Sequence, residues 1–142
     1  MRLKNERGSA LLETALTLPL VLLLSVGIFE FGRAYQMFQV MTNAAREGAR
    51  VAVVPGALDT DITARVQAYL TAGQIANVAS ATIAIDHTKT VSIGGNTAPA
   101  TQVTVSYPFS FMVLNPVAQL VVRGSTLGSS FTMTTTALMR NE

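Results

Sequence analysis

The sequence predicts an α+β protein: a long N-terminal transmembrane/amphipathic helix carrying a small antiparallel sheet head and one short extra helix. Three observations predict it. The apolar residues are concentrated at the front, from Ser9 to Phe29. A helical periodicity of three and four continues to Val54 and meets Pro55-Gly56, a strong stop signal. Beyond Gly73 the pattern changes to alternation of apolar and polar residues, rich in Val and Thr.

The front segment reads SALLETALTLPLVLLLSVGIF, and its single charge is Glu13. At 1.5 Å rise per residue such a helix spans roughly 30 Å, the thickness of a bilayer's hydrocarbon core. Before it stands MRLKNERG, with Arg2, Lys4 and Arg7 against Glu6, whereas residues 30–41 hold one cation, Arg33. Basic residues stay on the cytoplasmic side of a span, so the N-terminus is expected inside and the bulk outside. A cleaved secretory signal shares the basic start, but its apolar core is shorter and ends at small-x-small. Ser25-Val26-Gly27 matches that site poorly. A plain membrane anchor leaves Glu13 unexplained, because a carboxylate within a span costs several kcal/mol.

Residues 30–54 continue the helix. Phe31, Tyr35, Phe38, Met41, Ala45, Ala49 and Ala52 share one face, and Gln36, Gln39, Asn43, Arg46, Glu47 and Arg50 the other. Unbroken from Ser9 to Val54, it is roughly 70 Å long, with a kink expected near Ala15–Pro19. Asp59-Thr60-Asp61 offers N-caps for a short helix in which Ile62, Val66, Tyr69 and Leu70 share a face. Four alternating runs follow: Ile83 and Ile85; Val91 and Ile93; Val103 to Tyr107; Phe131 to Ala137. They are separated by Asp86–Lys89, by Gly94-Gly95-Asn96 and by a long connection from Pro108 to Ser129 containing PVAQLVV, one or two helical turns. A small sheet must bury one face, and the Phe31–Ala52 stripe is the surface on offer. The expected domains are 1–8 as a basic leader, 9–29 as the span, 30–54 as its amphipathic continuation and 57–142 as the head.

Composition narrows the chemistry. Among 142 residues, hydrophobic types make up 49% and charged types 13%, a combination that excludes intrinsic disorder. A net charge of +2 without a basic stripe gives no reason for a nucleic-acid partner. The lack of cysteine excludes a disulfide scaffold, a Cys-ligated metal and a thiol nucleophile. His87, the sole histidine, is expected as a surface turn residue, and neighbouring Asp86 would point to the opposite face of a strand. No phosphate loop, HExxH or paired-carboxylate pattern appears, and Asp59 and Asp61 lack the later ligands of a calcium loop. No catalytic, cofactor-binding or metal-binding residue is assigned, and the chain is not expected to be an enzyme.

Arg7-Gly8-Ser9-Ala10-Leu11-Leu12-Glu13 resembles the type IV prepilin processing site, where a membrane-embedded peptidase cuts after glycine on the cytoplasmic side. Cutting between Gly8 and Ser9 makes Glu13 the fifth residue of the mature chain. A neighbouring subunit's Glu13 can then pair with the new Ser9 ammonium in an apolar filament core, satisfying two otherwise costly charges.

The stretch from Arg7 to Arg50 further resembles the TadE family of the tight-adherence (Tad) pilus systems. The resemblance is carried by the basic-Gly-small start with Glu13, the Leu-rich run containing Pro19, Glu-Phe-Gly-Arg (Glu30 to Arg33) and Asn-Ala-Ala-Arg-Glu-Gly-Ala-Arg (Asn43 to Arg50). The ending Thr-Ala-Leu-Met-Arg-Asn-Glu (Thr136 to Glu142) is also similar. The resemblance implies a pilin-like spine and the role of a minor pilin, or pseudopilin, in pilus assembly and surface adherence. It implies as partners a prepilin peptidase, the major pilin and other minor pilins, an inner-membrane assembly platform and the lipid bilayer. It places the chain in a bacterial inner membrane, single-pass with the head outside the cytoplasm, and within reach of incorporation into the pilus.

Two rivals share the same N-terminal physics: an unprocessed single-span envelope protein with a protein-binding head, and a pseudopilin of a type II-like secretion system. Two readings also stay open along the helix. Ala44, Ala45, Gly48 and Ala49 either seat the head or frame subunit contacts through Arg46, Glu47 and Arg50. Glu30 and Arg33 either pair on the helix surface, contributing a few tenths of a kcal/mol, or take part in filament packing.

Overall fold

A computed structural model describes residues 6–121, 123–124, 126 and 128–141. Arg2 and Lys4 of the leader, Val122 of the long connection and Glu142 lie outside them. Helix α1 runs from Glu6 to Ala52 and continues through Pro19 without a break. Proline removes the bond to the Ala15 carbonyl, and helix-favouring Leu and Ala on both sides carry the helix past it. Within the apolar part, the hydroxyls of Thr14, Thr17 and Ser25 donate back to the carbonyls of Ala10, Glu13 and Val21. Those polar groups are thereby satisfied on their own helix.

Two compact units divide the described chain: Met1–Arg33 with Phe111–Ser129, and Ala34–Ser110 with Ser130–Glu142. The second is the head, and its core begins on the later half of α1. There Ala34, Met41, Ala44, Ala45 and Ala49 are buried, while Tyr35 and Phe38 are exposed. The buried face is thus displaced from the aromatic side of the expected stripe to its small-residue side. The reason is distance. At Gly48 a Cβ would stand 2.5 Å from Val66 Cγ2 and 3.2 Å from Val103 Cγ1, so only a near-bare backbone allows helix and sheet to meet this closely.

Helix α2, Asp59–Ala72, buries Ile62, Val66 and Leu70 as its periodicity predicts. Its N-cap is Leu58 rather than a residue of the expected Asp59-Thr60-Asp61; the Leu58 N–H donates to the carboxylate of Asp61, the third helical residue, at 3.3 Å. At the other end Gly73 lies so close to Val40 of α1 that a Cβ would overlap it.

The sheet has three strands, not four: β1 (Thr82–Ile93), β2 (Asn96–Phe109) and β3 (Phe131–Arg140), antiparallel and in that order. Asp86–Lys89, expected to separate two strands, instead forms a bulge inside β1, where the register with β2 shifts. Its local chemistry is that of a turn. The Asp86 carboxylate accepts from the Thr88 N–H at 2.9 Å and from the Thr88 hydroxyl at 2.6 Å. The true hairpin is at Gly94-Gly95, both at positive φ, 59° and 87°, as a two-residue loop between paired Ile93 and Asn96 requires.

In β2, Val103, Val105, Tyr107 and Phe109 point inward with Met133 and Thr135 of β3. The Thr135 hydroxyl meets that of Thr42 on α1 at 3.2 Å. The opposite face is polar, with hydroxyl pairs Thr104–Thr136 and Ser106–Thr134 at 3.3 and 3.0 Å. Phe109 and Phe131 close the end of the core, ring centroids 5.5 Å apart, and the Tyr107 hydroxyl donates to the Ala76 carbonyl. In the first unit, the connection after β2 forms helix α3, Leu114–Val121, two turns, within the one or two expected.

Candidate functional site on the N-terminal helix

Gly8 and Ser9 both lie inside α1, Gly8 half-buried and Ser9 exposed. Glu13 is exposed one turn further on, so Ser9 and Glu13 share a helix face. Around them Leu11, Leu12, Leu16, Leu18 and Leu20 are exposed, and the exposed apolar surface continues through Leu24, Ile28 and Phe29. An apolar surface of this extent is far larger than a water-soluble monomer tolerates. The helix is long and apolar enough to cross a membrane.

Where the apolar run ends, Glu30 turns inward. It is 1% exposed, and its Oε1 accepts from the backbone N–H of Met112 at 2.8 Å and of Val113 at 2.7 Å. Arg33 donates to Oε2 at 3.0 Å. The expected Glu30–Arg33 pair is therefore present, but as one side of a buried network rather than an ion pair on the surface. Three N–H donors around one carboxyl suit its ionised form, and charge-assisted bonds of this kind contribute about 1.5–3 kcal/mol each. Glu30 thereby fastens the segment Phe111–Val113 to the helix. Its carboxylate is held within its own chain, which is the pairing alternative of the two readings left open for Glu30 and Arg33.

In the Asn43–Arg50 element, the small residues seat the head, since Ala44, Ala45, Gly48 and Ala49 are all buried. The charged residues face outward. Arg46 and Arg50 are exposed. Glu47 accepts from Arg50 at 2.8 Å and from Arg65 of α2 at 3.3 Å, a solvent-facing cluster that contributes little to stability.

One arrangement was not legible in the sequence. His87, in the β1 bulge, bridges two elements: its Nε2 lies 2.8 Å from Asp59 Oδ1 of α2, and its Nδ1 lies 3.1 Å from Thr101 Oγ1 of β2. Carboxylate, imidazole and hydroxyl in a row imitate a catalytic sequence, but Thr101 is fully buried and its hydroxyl donates to Asn141 Oδ1 at 2.9 Å. The row ties α2, the sheet and the C-terminal end of β3 together. Partners far apart in the chain left no local spacing to detect. Among the described residues no three His, Asp or Glu are grouped to hold a metal ion.

Fold and site together define an α+β protein whose N-terminal helix is long and apolar enough to cross a membrane and carries a carboxylate near its start. Within that class, residues 8–50 match the family model described as TadE-like protein. The match begins at the glycine of the candidate cleavage site, ends at Arg50 and reaches neither α2 nor the sheet. No curated protein and no solved structure matches the chain.

Proposed function

We propose that this chain is a minor pilin, or pseudopilin, of a Tad-type pilus. A prepilin peptidase cuts between Gly8 and Ser9, the mature chain is held in the bacterial inner membrane with its N-terminus cytoplasmic, and the head lies outside. It acts by assembly rather than catalysis, contributing with the major pilin, other minor pilins and the inner-membrane platform to a filament used in surface adherence. The observation that carries the reading is Glu13, an exposed carboxylate one turn from Ser9 on an exposed apolar helix, inside the segment that matches the TadE-like family. A carboxylate there needs a cationic partner within an apolar assembly, and the ammonium created by cutting at Ser9 is one of matching charge.

The test is N-terminal sequencing of the protein from cells with and without the prepilin peptidase. Ser9 is the expected first residue in the first case, and the leader is retained in the second. Gly8→Ala keeps a small residue and is cut; Gly8→Arg is not. A mature chain that begins elsewhere, or an unchanged mass for Gly8→Arg, overturns the reading.

A further inference from the structure

The connection between β2 and β3 has features that neither the head's core nor the assembly reading uses. From Phe109 to Val121 it carries no charged residue. Met112 and Val113 are 68% and 42% exposed, although both are large and apolar. They are not loosely placed: their backbone N–H groups are the two held by Glu30. Beside them Phe111 packs edge-on against Phe31, centroids 6.0 Å apart, while Phe31 itself remains 63% exposed. Helix α3 follows directly, with its polar side chains Asn115 and Gln119 one turn apart and bonded to each other at 3.1 Å.

Position gives this patch its meaning. Glu30 is the residue immediately after Phe29, where the apolar run of α1 ends. At 1.5 Å per residue, Phe31 lies within one turn of that end. The same unit that contains the apolar run contains Phe111–Ser129. The exposed apolar groups Phe31, Met112 and Val113 thus continue the surface of the span sideways, at the level where hydrocarbon gives way to headgroups. We propose that Phe111–Val113 and α3 form a second lipid contact, lying in the plane of the bilayer surface on the side where the head emerges, with Glu30 as the residue that positions it. Aromatic and aliphatic side chains at that depth are favoured, and a short amphipathic helix buries its apolar side about 5–10 Å into the interface. The Glu30 network then has a reason to be built from backbone donors: it fixes the height of the segment whatever side chains the segment carries.

The inference rests on the membrane reading of Ser9–Phe29, and the experiment separates the two. The chain has no cysteine, so single cysteines can be introduced and labelled with an environment-sensitive fluorophore in the full-length protein. Met112→Cys reports the segment and Leu22→Cys the middle of the span. Neither change removes a bond, because Met112 is held through its backbone. Each protein is reconstituted, dilute, in phosphatidylcholine–phosphatidylglycerol vesicles containing lipids spin-labelled either near the headgroup or deep in the chains.

The Met112 label is expected to be quenched by the shallow nitroxide at least about twofold more than by the deep one, and the Leu22 label the reverse. Glu30→Ala should reduce the Met112 quenching by about half or more while leaving Leu22 unchanged. A Met112 label untouched by either nitroxide, with Leu22 quenched, overturns the second contact and leaves the span standing. Both labels untouched overturns the span and the inference with it. A Met112 label shielded from both nitroxides at high protein density and quenched only after dilution with the same spin-labelled lipid assigns the patch to a second copy of the chain and overturns the lipid contact. Quenching that is unchanged in Glu30→Ala overturns the positioning role.

Discussion

Two glutamates on one helix answer the same physical problem in opposite ways. Glu30 has its donors within the chain, from Arg33 and the Met112 and Val113 N–H groups, and is buried. Glu13 is exposed on an apolar helix, and in the proposed assembly its partner is supplied by another subunit. Glu13→Gln therefore separates membrane storage from assembly. An amide is easier to hold in hydrocarbon than a carboxylate, so cleaved protein should accumulate normally in the inner membrane. Incorporation into pili should fail, since an unpaired ammonium in an apolar bundle costs about 3–5 kcal/mol. Thr14→Val, a neighbouring change with no charge defect, should behave as wild type. Wild-type piliation by Glu13→Gln would sink the pairing account. Asp86 allows a test in the head. The Thr88 hydroxyl, then the Thr88 N–H and the Lys89 ammonium, lower its carboxyl from 3.8 to about 2. A depressed carboxyl stabilises the fold above the unfolded value, and that contribution is lost as pH falls through about 2. Carboxyl NMR titration should show this, and Thr88→Val should move Asp86 back toward 3.8.

At the scale of elements, the later half of α1 is a seat made of small residues. Gly48 is its tightest point, where an added methyl meets Val66, a stiff and buried side chain. Gly48→Ala gains about 0.5–1 kcal/mol of helix propensity but loses about 1–3 kcal/mol to overpacking. The expected net effect is a lower Tm, by about 5 °C, with a larger drop for Gly48→Val. A Cβ at Gly32 would meet nothing within 4 Å, so Gly32→Ala should leave the Tm unchanged or slightly raised. Equal behaviour of the two alanine variants would mean that the seat yields. In β1, turn chemistry without a turn has a simple cause. Asp86 and Thr88 satisfy each other locally, and the strand resumes pairing with β2 at Lys89–Ala100.

At the scale of the molecule, the head requires α1. Val66, Val103 and Val105 are buried in a core to which Met41, Ala45 and Gly48 contribute one side. A chain starting at Phe31 keeps that side and should be monomeric in water, with helix and strand signals by circular dichroism and a cooperative thermal transition. A chain starting at Ala57 exposes the core face of the sheet and should aggregate. A soluble, cooperatively folding Ala57 chain would show that α2 and the sheet suffice without α1.

Local pattern alone determined the apolar run, the helix that continues it, the amphipathic α2, the paired alternation of β2 and β3 and the segment that matches the TadE-like family. Each is written in residues adjacent in sequence or one turn apart, where periodicity and charge act directly. Tertiary structure decided which side of α1 is buried. Sequence hydrophobicity favours Tyr35 and Phe38, but close approach of a helix to a sheet favours Ala45, Gly48 and Ala49, and side-chain bulk is what the backbone distance excludes. It likewise decided that Asp86–Lys89 bulges instead of turning, that Asp59 reaches His87, and that Glu30 holds Met112 and Val113. Those partners lie dozens of residues apart, and no local spacing encodes a contact that exists only once the chain has closed on itself.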